Sequence, residues 1–317
     1  MAKRLRGNSY DIIIGFGGGS TIDVAKSLSI ALTHSEDIWL YANLSNRPSL
    51  PLKEHPIPVI AIPTTSGTGA EVTPYAVLTK EDTFQKGTIQ EAAIFPKVAI
   101  LDPELVVSLP SSLTASTGID AFAHALEASI NISKKSPAAE TFGKSAMRTI
   151  LEWLPVAVKE PENIKARMKV AWASCMSGMA IAHRGTTTAH SIAEPLGGLT
   201  HIQHGLGVSM STLPVMRHTI HKDPKCLAKL NSSVLGIVSK NEKAAADNFL
   251  NTMEEMLNKV DLNKCVKDFL SKEKCEGLEQ VLIENILKFK FRPLLQHPVE
   301  FDGKSLKPII HELIYGK

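Results

Sequence analysis

The sequence is poor in cysteine and lacks long hydrophobic runs. Its 317 residues include four cysteines, none of them in a CxxC pair: Cys175, Cys226, Cys265 and Cys275. This set predicts reduced structural thiols in a cytoplasmic protein rather than a disulfide framework. No apolar stretch approaches the length of a membrane span, and the apolar segment after the basic N-terminus is too short for a signal peptide.

The charge is also small, with a formal net value of +3 and basic residues interleaved with acidic ones. Nothing in it indicates a nucleic-acid or anionic-membrane partner. The apolar share of 44% and the charged share of 21% are typical of a globular protein. The length predicts two domains, which the patterns below place at residues 1–109 and 110–317.

The first readable pattern is a short apolar strand over residues 12–14, a glycine-rich turn at residues 15–19, and a helix to about Leu32. We expect Ser20 to cap that helix. A glycine turn between a strand and a helix N-terminus is suited to an anion such as a dinucleotide pyrophosphate. The turn lacks the G-x-G-x-x-G spacing, so a simple tight connection is the alternative interpretation.

A second strand, residues 58–62, leads into a polar loop of small side chains at residues 63–73. Such a loop can approach a ribose or phosphate, although Thr/Gly loops are also common connectors. Residues 75–79 and 86–90 then predict a hairpin around Glu81-Asp82. Lys86 in this hairpin is either a surface lysine or a group that reaches a cofactor. One more strand is expected at residues 97–102.

Beyond Pro110 helical periodicity replaces the strand signals. The predicted helices are Ser111–Ile130, Ala138–Leu154, Ile164–His183, Thr186–Leu196 (ended by Pro195 and Gly197-Gly198) and several C-terminal segments, the last near Leu306–Ile314.

Four side chains in this region could hold one metal ion. Asp120 and His124 are four residues apart, so on a helix they share one face. His190 lies in another predicted helix, and His204 begins the segment after it. One oxygen and three imidazoles suit iron(II), zinc, cobalt or nickel better than magnesium or calcium. Taken singly, each histidine is more often a core residue than a ligand.

Four stretches together resemble the iron-containing (group III) alcohol dehydrogenases. They are Gly17–Lys26 (GGGSTIDVAK), Pro63–Thr73 (PTTSGTGAEVT), Thr117–His124 (TGIDAFAH) and the segment from His190 to Gly205. Their order and intervals match the family over most of the chain up to about Arg217. Four motifs in register are far more specific than any one of them.

The resemblance implies an α/β fold: a truncated Rossmann-like dinucleotide-binding domain, followed by an all-helical metal-binding domain, in a dehydroquinate synthase-like architecture. It implies metal-dependent, NAD(P)-linked alcohol dehydrogenase or aldehyde reductase activity, with iron(II) or zinc and NAD or NADP as cofactors. The implied cofactor-binding residues are Gly18, Gly19, Ser20, Thr64, Thr65, Thr68 and Lys86. The implied metal ligands are Asp120, His124, His190 and His204.

Two departures from the family pattern stand out. The family has a further histidine four residues after the ligand that matches His190, and here that position is Glu194. Glu194 is expected to ligate the metal, relay a proton or disfavour an anionic substrate, and His201 is an alternative relay. The family also has about two βα units before the glycine turn. Without them, we expect an exposed sheet edge and a reduced cofactor site.

Three functions remain open at this point. The first is the alcohol dehydrogenase, with a small alcohol or aldehyde substrate and, by analogy, a homodimer. The second is a related enzyme, either a glycerol-dehydrogenase-like oxidoreductase or a dehydroquinate-synthase-like cyclase. The third is a catalytically weak or inactive remnant that binds metal.

Overall fold

The structure, a computed structural model, describes residues 2–44, 47–80, 85–262, 266, 269, 277–289 and 291–315. Its N-terminal part mixes strands with helices. The elements are α1 (Ala2–Leu5), β1 (Ile13–Gly17), α2 (Gly19–Thr33), β2 (Ala42–Asn43), β3 (Val59–Pro63), β4 (Tyr75–Thr79), β5 (Lys86–Gln90) and β6 (Val98–Ala99).

The remainder of the described chain is helical from Ser111 onward. The helices are α3 (Ser111–Ile130), α4 (Pro137–Lys159), α5 (Ile164–Arg184), α6 (Thr188–Thr200), α7 (His204–Lys222), α8 (Lys225–Leu235), α9 (Glu242–Lys259), α10 (Leu278–Phe289), α11 (Phe291–Leu294) and α12 (Gly303–Tyr315). The predicted fold class, an α/β region followed by a helical one, is confirmed. The domain boundary after residue 109 stays a prediction.

The strands form two small sheets. In the first, β1 pairs with β3 and β3 with β6, all parallel. Helix α2 covers one face of this sheet at close range, because a Cβ at Gly15 would lie 3.0 Å from the Cβ of Ala25. The opposite face exposes Ile14 and Phe16 on the edge strand β1. In the second sheet β5 pairs antiparallel with β2 and β4, which confirms the predicted hairpin; its turn at residues 81–84 lies outside the described residues.

The largest hydrophobic core belongs to the helical region. Alanine-rich α3 is buried along most of its length, with residues such as Phe122 and Leu126 packed among α4, α5 and α7. Small side chains allow these helices to approach closely. Polar residues of α3 such as Asp120 and Glu127 are therefore buried among these helices. No helix in the described ranges is both long and apolar enough to cross a membrane.

Two local predictions were wrong. Ser20 does not cap α2: the N-cap is Gly18, no side chain caps it, and Ser20 is an exposed residue of the helix's first turn. Helix α6 also does not end near Leu196 but continues through Pro195 to Thr200. A proline inside a helix removes one backbone hydrogen bond. The packing of α6 on α7 outweighs that loss, and the helix ends where His201 adopts a left-handed backbone with φ 58°.

Candidate metal centre and cofactor groove

Three predicted metal ligands point at one another in the helical region. Asp120 on α3, His190 on α6 and His204 at the first position of α7 each offer an atom within 4.8 Å of the others. The Asp120 Oδ1 atom lies 3.3 Å from His190 Nε2 and 3.6 Å from His204 Nε2. Asp120 and His190 are buried, and the side chain of His204 is about one-third exposed, so the group is open on one side.

The fourth predicted ligand, His124, lies beside this group. Its Nε2 atom is 3.9 Å from Asp120 Oδ1, and its ring stacks on that of His190 with the centroids 4.4 Å apart. Its other nitrogen, Nδ1, lies 3.2 Å from the carbonyl oxygen of Gly67. Donation of the Nδ1 proton to that carbonyl leaves Nε2, the nitrogen nearest Asp120, with its lone pair available.

The donor atoms fit a divalent cation. Ligands about 2.1 Å from a tetrahedral ion lie roughly 3.4 Å from one another, close to the distances of 3.3 and 3.6 Å from Asp120 Oδ1 to His190 and His204. His124, at 3.9 Å from Asp120, lies outside the group of three whose donor atoms are all within 4.8 Å of one another. Asp120 Oδ1 and His190 Nε2 are also buried without a hydrogen-bond partner among the described residues. Because buried polar atoms are normally paired, two facing each other in this way indicate a place for a charged ligand.

A buried residue that the sequence analysis missed also contacts this group. Glu127, on α3 and fully buried, forms a short contact through Oε2 with Nδ1 of His190. Its other oxygen, Oε1, accepts hydrogen bonds of 2.8 Å from the Thr187 hydroxyl and from the backbone N–H of Ala189. The signal was available in the sequence, since Asp120, His124 and Glu127 are spaced i, i+4 and i+7 on one helical face.

Most predicted cofactor residues meet in a groove between α2 and the loop after β3. Gly18 and Gly19 form the N-terminus of α2 and lie against this loop: a Cβ at Gly18 would be 3.4 Å from Thr65, and one at Gly19 would be 2.6 Å from Thr68. The backbone N–H of Thr64 donates to the carbonyl of Gly17 at 2.9 Å. The groove therefore combines free helix N–H groups with small hydroxyl side chains.

The remaining predicted site residues lie around α6. Glu194 is half-buried one turn after His190; burial lowers the pKa of His204, and the charge of Glu194 opposes that shift. Lys86 acts in the opposite sense on His204, and its Nζ lies 3.6 Å from where a Cβ of Gly197 would be. His201 is exposed at the end of α6. Glu194 and Lys86 are thus close to the metal group, defined as Asp120, His124, His190 and His204, whereas His201 is an exposed residue at the end of α6.

Comparisons with known proteins agree with this geometry. Residues 1–103 match the family model described as iron-containing alcohol dehydrogenase, and residues 114–300 match the model for the C-terminal part of the Fe-containing alcohol dehydrogenase family. The chain belongs to the iron-containing alcohol dehydrogenase family. The resemblance predicted from four motifs is therefore confirmed, and with it membership of a family of metal-dependent, NAD-linked alcohol dehydrogenases.

Individual family members show how much of their length this chain spans. It is 34% identical to long-chain-alcohol dehydrogenase 1 of Geobacillus thermodenitrificans over 89% of this chain and 69% of that one. It is 37% identical to the 1-propanol dehydrogenase PduQ of Citrobacter freundii over 68% and 53%. The structure of sulfoacetaldehyde reductase from Bifidobacterium kashiwanohense with NAD+ superposes with a TM-score of 0.81 at 30% identity, over all of this chain and 79% of that one.

Burial and charge set the protonation of the metal group in this family member. Burial lowers the pKa of His124 to about 4 and also lowers the pKa of His204. Burial alone would raise the pKa of Asp120, but the surrounding imidazoles outweigh it and hold that pKa well below its usual range. His124 and His204 are therefore neutral and Asp120 is ionised, which are the protonation states in which these side chains bind a divalent ion.

The carboxylate of Glu127 has the opposite effect on the remaining ligand. Burial alone would lower the pKa of His190, but Glu127 and Asp120 outweigh it and raise that pKa to about 10. Burial likewise favours the neutral form of Glu127, yet the charge of His190 and the hydrogen bonds it accepts lower its pKa. A cation between Asp120 and His190 therefore has to displace a proton from the imidazole.

Packing of α7 against α3 places His204, which leads to a testable prediction. A Cβ at Gly205 would lie 2.3 Å from the carbonyl oxygen of Ser116, so the backbones of the two helices touch there. We expect Gly205→Ala to push the start of α7 outward and to cost about 1–3 kcal/mol of stability. Because His204 would move with it, metal affinity should fall at least about tenfold, as a chelator competition would measure.

Gly207→Ala is the matched control for this substitution. It lies two residues further along α7, where the atoms nearest to a Cβ would be those of Ile202 at 3.4 Å and Ala193 at 3.7 Å. These are ordinary contact distances, so metal affinity should stay at the wild-type value. Equal affinities for the two glycine variants would show that the contact with Ser116 does not position His204.

Proposed function

We propose that this chain is a metal-dependent, NAD(P)-linked alcohol dehydrogenase or aldehyde reductase. The observation that carries the proposal is the convergence of Asp120, His190 and His204, with His124 beside them. The loop after β3, which borders the cofactor groove, lies next to this group, because the carbonyl oxygen of Gly67 is 3.2 Å from Nδ1 of His124.

The residues of the metal group and of the cofactor groove would have distinct roles in this reaction. When bound, the divalent ion supplies Lewis-acid polarisation of the substrate oxygen, and the nicotinamide supplies or accepts the hydride. Gly18 and Gly19 at the start of α2 would bind the pyrophosphate, and Thr64, Thr65 and Thr68 the nicotinamide half. The carboxylate of Glu194 would take the proton that leaves the alcohol hydroxyl.

Small neutral alcohols and aldehydes are the substrates we propose. Of the relatives, the 1-propanol dehydrogenase and the 1,3-propanediol dehydrogenase of Klebsiella pneumoniae are named for small neutral alcohols, one is named for long-chain alcohols, and the reductase with the similar structure is named for sulfoacetaldehyde, an anionic aldehyde. Asp120 and Glu194 both act on His204 as negative charges, and a second anionic group on the substrate would be repelled by them. An uncharged alcohol such as 1-propanol avoids this repulsion.

The test uses the full chain purified without oxygen. Iron(II) and zinc are titrated separately, and binding of NADH and NADPH is followed by nicotinamide fluorescence. Turnover is then measured with propanal and NADH, and with 1-propanol and NAD+. We expect one ion per chain and hydride transfer in both directions. Metal binding without cofactor binding would instead favour the inactive remnant, and absence of metal binding would refute the proposal.

The proposed role of Glu194 gives a separate prediction. Glu194→Gln keeps the size of the side chain but removes its proton acceptor, so kcat should fall by about 10²–10⁴-fold while metal and cofactor affinities change little. His201→Asn is the control, since asparagine tolerates the left-handed backbone found there. It should keep nearly full kcat. A large loss of kcat in His201→Asn, with no loss in Glu194→Gln, would show that His201 rather than Glu194 accepts the proton.

Cys175 and Cys226 are free thiols, and burial raises their pKa values to about 12 and about 11, in keeping with unreactive thiols in a cytoplasmic protein. Cys265 and Cys275 lie outside the described residues. The homodimer and the division into domains at 1–109 and 110–317 are proposed on the family resemblance.

A further inference from the structure

The contacts of Glu127 define how the metal-facing imidazole is held. Its Oε1 atom accepts from the backbone N–H of Ala189, in the first turn of α6, and from the hydroxyl of Thr187, the N-cap residue. The Thr187 side chain does not itself cap the helix, so Glu127 does so from α3. Its Oε2 atom contacts Nδ1 of His190 two residues into the same helix.

These contacts fix the direction of each hydrogen bond. An ionised carboxylate can only accept, so Nδ1 of His190 must carry a proton that it donates to Glu127. The other nitrogen, Nε2, is the one that lies 3.3 Å from Asp120 Oδ1 and lacks a hydrogen-bond partner. Nε2 is therefore the nitrogen that a cation would bind, by displacing its proton, while Nδ1 keeps the proton that it donates to Glu127.

A second layer holds Glu127 in this orientation. The Thr187 hydroxyl donates its only proton to Glu127, so its oxygen accepts from Nδ1 of His297 at 3.1 Å. His297 Nε2 in turn lies 2.9 Å from the Thr219 hydroxyl on α7. All four residues are buried, and the chain of contacts connects α3, α6 and α7 behind the metal group.

We propose that Glu127 is a positioning residue that holds His190 in its Nδ1–H tautomer and thereby sets the affinity of the centre for a divalent ion. The inference rests on the proposed metal site. It goes beyond that site because Glu127 is not a ligand: it acts through the proton on the far side of His190. Partners of this kind typically change metal affinity by about 10–100-fold when they are replaced.

Glu127→Gln tests the tautomer directly. The amide oxygen has to remain on the side of Ala189, because an amide NH₂ there would face the backbone N–H, donor against donor. The NH₂ group therefore faces Nδ1 of His190 and donates to it. The imidazole proton then has to sit on Nε2, where it blocks the metal. The helix cap is preserved in this variant, so its effect on folding is expected to be small.

The measurement is zinc affinity by chelator competition, together with the visible spectrum of the cobalt(II) form. We expect Glu127→Gln to weaken zinc binding by about 10–100-fold and to alter the cobalt bands. Thr187→Val, which removes one donor but leaves the carboxylate in place, should weaken binding less. Glu152→Gln, at an exposed position of α4, should bind zinc as the wild type does.

The outcomes separate the inference from the function it rests on. A wild-type chain without zinc affinity refutes the proposed metal site, whereas a wild-type chain that binds zinc beside an equally tight Glu127→Gln refutes only the role of Glu127. If Glu127→Gln fails to fold, the zinc form of the wild type still decides: nitrogen-15 NMR should show His190 protonated at Nδ1. Zinc on Nδ1 instead would overturn the inference.

Discussion

Asp120→Asn is expected to remove tight metal binding while the chain remains folded. Its Oδ1 atom is the point on which the Nε2 atoms of three histidines converge, at distances of 3.3 to 3.9 Å. Four-ligand sites bind zinc with about 10–16 kcal/mol, so one ligand accounts for about 3 kcal/mol, or roughly a 100-fold change in affinity. Loss of the only carboxylate in the group should exceed this average, since the ion's charge then meets three neutral rings.

Two readouts measure this loss. Direct metal analysis should give one ion per wild-type chain and almost none in Asp120→Asn. The metal-induced rise in melting temperature should also disappear, because an ion at 100 times its Kd stabilises the folded chain by about 2.7 kcal/mol. Asp247→Asn on α9 is the matched control, because its carboxylate is 41% exposed and pairs with Lys243. Retained metal in Asp120→Asn would place the ion elsewhere.

The part of the metal group that could be predicted from the sequence depends on spacing within single helices. Asp120 and His124 share a helical face because a helix has 3.6 residues per turn, and His204 lies at the start of α7 as expected. What brings α3, α6 and α7 together is tertiary packing. No local sequence pattern predicts that His190 lies opposite Asp120. Before the structure, this proximity could be predicted only from the resemblance to the family.

The residues behind the metal group show where sequence reasoning stops. Glu127 could have been found from its spacing, since a charged residue on the buried face of an alanine-rich helix needs a partner. His297 could not have been found, because it reaches Thr187 across 110 residues of sequence and no local pattern links the two. The error at the end of α6 has a similar origin, because packing of α6 on α7 overrode the usual preference of proline.

Lys26→Met is expected to cost about 3–5 kcal/mol of unfolding free energy, the usual effect of breaking a buried charge cluster. Lys26, on α2, has no exposed surface, and its Nζ donates to the carbonyls of Thr73 at 2.9 Å and Tyr75 at 2.8 Å. Burial lowers the pKa of Lys26 to about 8, against the attraction of Asp23 and Glu71. Methionine fills the space but leaves two carbonyls and two carboxyls without their cation.

The loss should depend on pH in a defined direction. Burial raises the pKa of Glu71 to about 7 and that of Asp23 to about 6, even with Lys26 present to lower them. From about pH 4 to pH 7 the folded chain therefore holds more protons than the unfolded chain, and stability falls as pH rises. Without Lys26 both pKa values rise further, so the penalty of Lys26→Met should be small at pH 5 and larger at pH 8, where about half of Lys26 is still charged.

Urea unfolding at the two pH values measures this prediction. Lys53→Met is the control, because its side chain is 77% exposed and a surface pair such as Lys53–Glu36 contributes about 0–1 kcal/mol. Adding Glu71→Gln to Lys26→Met should recover part of the loss at pH 8, since it removes one of the two carboxylates left unpaired. A pH-independent loss, or no recovery in the double variant, would mean that packing rather than charge at Lys26 ties α2 to the loop that borders the cofactor groove.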